Sequence, residues 1–293
     1  RVEPVLMSRA VAGHAASIGI AGAISFVFAG TIGRWLGWRG AFAAAAIAAM
    51  IGWLVVFRWA PARERRPTTA ASGALFDFRP VLRNRSAMAY AVAYCAHTWE
   101  MNALRGWAVA FLAYVAAATG DRNPWLGPTA VAMTMGLVGT WASVAGNEAA
   151  IRMGRARLVR LAMTACVVCA AGIGFLGARS YTAAAVLVLL YGLLIWLDSS
   201  SLTAGAAGSA DPERRGATLA LHSMAGYAGG SVGPIVIGWI LDLSGGMSPM
   251  GWGLAFLHVA VIALLGQVAF VLLGPRDLAG DRPRASGRSA DRA

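Results

Sequence analysis

The chain has 293 residues, of which 58% are hydrophobic and only 13% are charged, and its formal net charge is +12. A soluble domain needs roughly 25% charged residues to cover its surface, so much of this surface must face lipid. All 25 basic residues are arginines. They lie between apolar runs instead of along one amphipathic face, which argues against a nucleic-acid-binding protein.

Eight apolar segments are long enough to cross a bilayer, which takes about 20 residues per helix. Helices are expected because each one satisfies its own backbone hydrogen bonds in lipid. The sequence therefore predicts an all-α polytopic membrane protein with eight transmembrane helices, near residues 11–33, 40–59, 88–117, 126–146, 158–178, 182–206, 218–241 and 252–273.

The arginines indicate how these helices are oriented. With eight helices, twenty of the 25 arginines fall on the side that holds both chain ends, four fall on the other side, and Arg105 lies within a helix. Cytoplasmic loops carry the excess of positive charge in membrane proteins. The sequence therefore predicts that both ends are cytoplasmic and that the protein lies in the plasma (inner) membrane.

Composition also divides the chain into four parts. Residues 60–86 are rich in Arg, Pro and Thr and are predicted to be a cytoplasmic linker, with two helices before it (1–59) and a six-helix bundle after it (87–274). The tail 275–293 has too few apolar residues to pack and is predicted to be disordered.

A short internal repeat suggests that the two parts are unequal halves. Residues 37–42 (GWRGAF) and 251–256 (GWGLAF) agree at four of six positions, at an offset of 214 residues. Parallel six-helix repeats are a known transporter architecture. Since only two helices precede the linker and six follow it, the repeat predicts four further helices before Arg1.

Residues 146–157 (GNEAAIRMGRAR) resemble the G-x-x-x-D-R-x-G-R-(R/K) loop of the major facilitator superfamily. Three positions match: Arg152, Gly154 and Arg155. Asn147 stands in place of the first glycine and Ile151 in place of the aspartate. The resemblance implies that the loop is a conformational latch, for which Glu148 would supply the carboxylate. The alternative is a plain positively charged cytoplasmic loop.

The segment 218–241 is similar to the eleventh helix of the same family. Glycines spaced four residues apart let helix backbones approach closely in lipid, so this segment is predicted to present a packing face: Gly226, Gly229, Gly230, Gly233 and Pro234. The face would serve either as a sliding contact or as static packing. The resemblance implies an N-terminally incomplete twelve-helix fold, of which these are the fifth to twelfth helices.

Charged groups in the middle of membrane helices are costly, so each is a functional candidate. Glu100 and Arg105 lie near the centre of one segment, with His97 and Asn102 beside them, and Asp198 lies within another. The resemblance implies that both segments line the central cavity. We predict that Glu100 carries protons, that Arg105 binds an anionic group and that Trp99, Trp107 and Trp196 form the cavity wall. The alternative is a structural ion pair of Arg105 with Glu100 or Asp198.

The sequence thus predicts alternating-access transport of a small, anionic solute, coupled to protons, by a protein whose partners are its substrate and the bilayer. A membrane receptor or a membrane enzyme is the alternative, although isolated histidines do not form an enzyme site. No cofactor or metal site is predicted. His14, His222 and His258 are interpreted as packing or hydrogen-bonded histidines, and the pair Cys166 and Cys169 as packing residues.

Single cysteines introduced into a cysteine-free background test the orientation. Cysteines at Thr69 and Ser286 are expected to be shielded from a membrane-impermeant maleimide in intact cells, whereas one at Asn123 is expected to react. Labelling of Thr69→Cys from outside would show that the orientation is inverted.

Overall fold

The computed structural model describes residues 6–60, 77–121, 126–278 and 281. In these ranges the chain forms nine α-helices: α1 (Met7–Trp59), α2 (Arg79–Arg83), α3 (Arg85–Thr119), α4 (Pro128–Met153), α5 (Arg155–Gly177), α6 (Tyr181–Trp196), α7 (Ser199–Ser209), α8 (Arg215–Leu243) and α9 (Pro249–Leu273). A 3₁₀ turn, Pro212–Arg214, precedes α8.

Seven stretches of the described helices are long and apolar enough to cross a membrane, and the first of them is Thr31–Trp59. The predicted count of eight is not confirmed, since seven stretches qualify. Within α1, Gly37 leaves helical geometry, with φ 68° and ψ −178°. Two helical stretches therefore meet at a kink inside the predicted connection 34–39.

The chain divides into two compact units, residues 1–19 with 78–293, and residues 20–77. In the larger unit α3 is the central helix and contacts α4, α6, α7, α8 and α9. The main apolar core lies between α3, α5, α6 and α9 and includes Phe111, Ile173, Tyr181 and Trp252. The smaller unit consists of α1 from residue 20 onwards and the predicted linker, most of which lies outside the described residues.

Local sequence signals account for where the helices begin and end. The side chains of Asn84, Ser180 and Ser248 accept hydrogen bonds from the backbone N–H groups at the starts of α3, α6 and α9, as expected for N-cap residues. Gly154 separates α4 from α5 with a φ of 97°. Only glycine adopts such a conformation without strain, so the chain can reverse there within a single residue.

The glycines of α8 bring its backbone against α3. A Cβ atom at Gly229 would lie 2.3 Å from the backbone oxygen of Cys95, and one at Gly233 would lie 2.5 Å from that of Trp99. Gly226 lies against the ring of Tyr94, and Gly230 against the side chain of Asn102. Any residue larger than glycine would therefore push the two helices apart.

The apolar run 182–206 forms two helices instead of one. α6 ends at Trp196 and α7 begins at Ser199, with Asp198 between them. The backbone of α4 passes this break closely, since a Cβ atom at Gly146 would lie 1.8 Å from the backbone oxygen of Leu197. The break therefore places Asp198 inside the bundle, where α3 reaches it.

The first residues of the predicted disordered tail are part of the fold. The backbone N–H of Arg276 donates to Ser86 Oγ at 3.0 Å, and its carbonyl accepts from Tyr90 Oη at 3.0 Å. Asp281 pairs with Arg155 at 3.0 Å. The polar composition that predicted disorder here instead supplies hydrogen-bonding groups to the helix ends. The remainder of the tail, 279–280 and 282–293, lies outside the described residues.

Enlarging the glycines that touch α3 is expected to destabilise the bundle. Gly229→Ala and Gly233→Ala each place a methyl group against backbone, which cannot move aside as a side chain can, so we expect a loss of about 1–3 kcal/mol each. The apparent melting temperature of the purified protein in detergent measures the effect. Gly216→Ala on the same helix is the matched control, since nothing lies within 4 Å of its Cβ position. An equal effect of all three substitutions would contradict the packing role.

Candidate functional site

Three polar side chains of α3 are buried inside the larger unit. His97, Thr98 and Glu100 expose only 2%, 5% and 4% of their surface. The family resemblance implied that this helix lines a cavity. In the structure its buried polar residues contact different neighbouring helices, because α3 is surrounded on several sides.

Glu100 contacts α6 and α5. The hydroxyl of Tyr191 donates a hydrogen bond of 2.6 Å to Glu100 Oε1, and both residues are buried. Cys166 of α5 is also buried and is part of the apolar core on this side of α3.

Asp198 pairs with a histidine of α3. Its Oδ1 atom lies 3.0 Å from Nδ1 of His97, and the two side chains expose 5% and 2% of their surface. The predicted alternative, an ion pair of Arg105 with Glu100 or Asp198, does not occur in the described part of the chain. Five residues separate Glu100 from Arg105, which is about 140° around the helix axis, so the two side chains leave α3 in different directions.

His222 of α8 joins this group as a packed and hydrogen-bonded histidine. Its ring stacks on Tyr94 with centroids 4.0 Å apart, and Tyr94 also stacks on His97 at 5.7 Å. His222 Nε2 lies 3.3 Å from Thr203 Oγ1. A lone histidine in an apolar helix gives no signal of such neighbours, because they come from α3 and α7.

Two ring nitrogens of this group are buried without a partner among the described residues, Nε2 of His97 and Nδ1 of His222. Buried polar atoms are nearly always hydrogen-bonded, so each exception calls for an explanation. Across the described residues, no group of three or more His, Cys, Asp or Glu is arranged to hold a metal ion.

Thr98 and Asn102 connect α3 to α8. The hydroxyl of Thr98 donates to the backbone oxygen of Gly226 at 2.7 Å, and the amide of Asn102 donates to the backbone oxygen of Thr98 at 2.9 Å. Asn102 also lies against Gly230. These two residues therefore stabilise the close contact between the helices.

The three tryptophans predicted to form one cavity wall contact three different helices. Trp99 donates to His258 of α9 at 3.2 Å, and Trp107 donates to the backbone oxygen of Pro234 in α8 at 2.8 Å. Trp196 packs on Gly139 of α4. The sequence could not reveal these separate partners, since each one belongs to another helix.

Arg105 differs from the other candidates because it makes no hydrogen bond or ion pair with any described residue. Its side chain is half-buried, and its position lies within the span Arg85–Thr119. Desolvating a guanidinium without a counter-charge is unfavourable. The position therefore suits an arginine whose partner is a ligand or water.

The 146–157 loop contains one fully buried arginine and one exposed arginine. Arg155 exposes none of its side chain and donates to both carboxylate oxygens of Asp281 at 3.0 Å, whereas Arg152 is exposed. Glu148, which the sequence suggested as the acid of the loop, pairs with Arg9 at 2.8 Å instead. The acid that pairs with Arg155 therefore comes from outside the loop.

The comparisons with known proteins agree with the resemblance seen in the loop. The family model described as Major Facilitator Superfamily matches residues 3–205, which run from the start of α1 into α7. No curated protein matches the sequence. Members of this family transport small solutes across membranes. With a family match over more than half of its length and seven apolar helices of spanning length, the chain belongs to the Major Facilitator Superfamily.

Proposed function

We propose that the protein moves a small solute with an anionic group by alternating access, and that protons drive this movement. The observation that carries the proposal is Arg105, a half-buried arginine in a membrane-spanning helix that pairs with no described residue. Ionisable residues in such positions are usually retained for a substrate or ion pathway. A carboxylate or another anion is the natural partner of a guanidinium, which presents several N–H donors in a planar fork.

Glu100 is the proposed proton carrier. It is buried at 4% exposure and is held by the hydroxyl of Tyr191, and it lies one helical turn from the His97–Asp198 pair. A carboxyl group with a fixed hydrogen-bond donor and titratable neighbours can take up and release a proton without large movements. Glu100 and Arg105 point away from each other, so proton and anion would occupy separate sites.

Two features of the bundle support movement between conformations. The glycine face of α8 contributes no side chains of its own to the contact with α3, which leaves fewer obstacles to movement of one helix along the other. The break between α6 and α7 gives the helix pair a point at which it can bend. In the proposed cycle the orientation remains that of the sequence prediction, with both ends in the cytoplasm and the protein in the plasma membrane.

Replacing Arg105 is expected to remove substrate binding. A panel of small mono- and dicarboxylates, screened by thermal stabilisation of the purified protein, identifies a ligand first. Arg105→Ala should then weaken binding of that ligand by about 100-fold, in line with roughly 1.5–3 kcal/mol for a charged hydrogen bond. Isothermal titration measures the change.

Arg179→Ala, in the exposed turn before α6, is the matched control. It should bind the ligand normally. If Arg105→Ala fails to express while the control expresses well, the arginine has a structural role and the proposed anion site is wrong. Binding without any flux in liposomes would identify a receptor instead of a transporter.

Replacing Glu100 is expected to separate transport from proton coupling. Glu100→Gln keeps an acceptor for Tyr191 but cannot exchange a proton, so accumulation driven by a pH gradient should be lost while exchange of substrate across the membrane persists. Uptake and counterflow into proteoliposomes measure the two activities. Glu148→Gln, which changes a carboxylate that pairs with Arg9 at the helix end, should accumulate substrate normally. Normal accumulation by Glu100→Gln would exclude this residue as the proton carrier.

A further inference from the structure

We propose that Asp281 supplies the carboxylate that the 146–157 loop lacks, and that this contact is what locks the loop in the transport cycle. Ile151 stands where the family's loop has an aspartate. Glu148, the other acid of the loop, forms an ion pair with Arg9. Asp281 would therefore be a positioning residue that acts through Arg155. The part of the proposal that concerns transport rate rests on the proposed function.

The contact between Arg155 and Asp281 is a buried, two-point ion pair. Nε of Arg155 donates to Oδ2 of Asp281 and Nη2 donates to Oδ1, each at 3.0 Å. The two side chains expose 0% and 3% of their surface. Such parallel bonds are the strongest and most directional contacts that a guanidinium makes. Water does not reach them, so salt in solution would screen them little.

Arg155 also connects two helices to this pair. Its Nη1 atom donates to the side-chain oxygen of Asn147 in α4 at 3.2 Å and to the backbone oxygen of Ser201 in α7 at 3.3 Å. One guanidinium thus contacts α4, α7 and Asp281, while its own backbone begins α5. Any separation of these helix ends must break at least one of these bonds.

The residues before Asp281 reinforce the contact. Arg276, Asp277, Leu278 and Asp281 are called the C-terminal clasp below. Asp277 Oδ1 accepts from the backbone N–H of Ala156 at 2.9 Å, at the start of α5, where a negative charge is favourable. Leu278 packs on Gly208 at the end of α7, and its N–H donates to Asp281 Oδ2 at 3.0 Å.

The clasp therefore joins the ends of α3, α5 and α7, with α3 contacted through Ser86 and Tyr90. All of these helix ends belong to the six-helix bundle that follows the predicted linker, so the ion pair favours one arrangement of the 146–157 loop on that bundle. A conformational step that moves the loop must break the pair. The locking contact therefore includes a residue after α9 as well as the loop itself.

Release of the clasp can be measured without any transport. In protein whose three native cysteines are replaced by serine, Leu278→Cys is labelled with a soluble maleimide. Asp281→Asn and Arg155→Gln are each expected to raise the labelling rate by about tenfold or more, because each leaves a buried polar partner unpaired. The double variant should label no faster than either single variant, since all three break the same contact.

Two further variants separate the ion pair from general loss of structure. Asp211→Asn removes an exposed acid at the same end of the bundle and should leave the labelling rate unchanged. Asp281→Glu keeps the carboxylate, so Leu278→Cys in this variant should be labelled as slowly as it is with Asp281 present. An unchanged rate in Asp281→Asn, or a failure of Asp281→Glu to restore slow labelling, overturns the clasp.

Transport supplies the second readout. With a substrate identified, Asp281→Asn is expected to lower the maximal uptake rate by about tenfold and to leave KM within about twofold, since it affects a conformational step and not the binding site. Faster labelling with an unchanged maximal rate would show that the clasp is structural only, which overturns its role in the cycle. Absence of uptake by the unsubstituted protein would refute the proposed function, and the labelling experiment would still decide whether the clasp exists.

Discussion

Within the bundle, each polar group on a membrane-spanning helix must be satisfied by protein, because lipid offers no hydrogen bonds. α3 carries most of these groups and is in contact with α2, α4, α6, α7, α8 and α9. Glu100 is satisfied by Tyr191, Asp198 by His97 and Thr98 by the backbone of α8. The positions of α6, α7 and α8 follow from these contacts, and the glycines of α8 allow the required distance to α3.

Two arginines illustrate how the same residue type serves different purposes. Arg155 is fully buried, and its charge is balanced by Asp281. Removing one partner of such a pair typically costs about 3–5 kcal/mol, so this arginine holds structure together. Arg105 is half-buried and has no such partner among the described residues, which leaves its N–H groups available to a ligand. Composition and position in the sequence do not distinguish the two, since both are single arginines near apolar runs.

Part of the candidate site could be predicted from the sequence. His97, Glu100 and Asp198 stand out as ionisable residues in apolar segments, and a period of 3.6 residues places Tyr191 on the same helix face as Asp198. Their pairing could not be predicted, because it depends on which helices become neighbours and on the break at Leu197 and Asp198. The partners of His222 could not be predicted for the same reason. Its partners Tyr94 and Thr203 are distant in sequence, and only the packing of α8 against α3 and α7 brings them together.

Composition and spacing in the sequence are sufficient to predict that the chain spans a membrane as helices and where most of those helices lie. These features depend on local properties, which act over one or two helical turns, as does the kink at Gly37, where a glycine adopts a φ of 68°. The His97–Asp198 pair and the bond between Arg155 and Asp281 depend instead on which helices become neighbours in the folded chain. Each of the two pairs links residues about 100 positions apart or more, and a polar side chain in a bundle pairs with whichever group the packing of the helices places within reach.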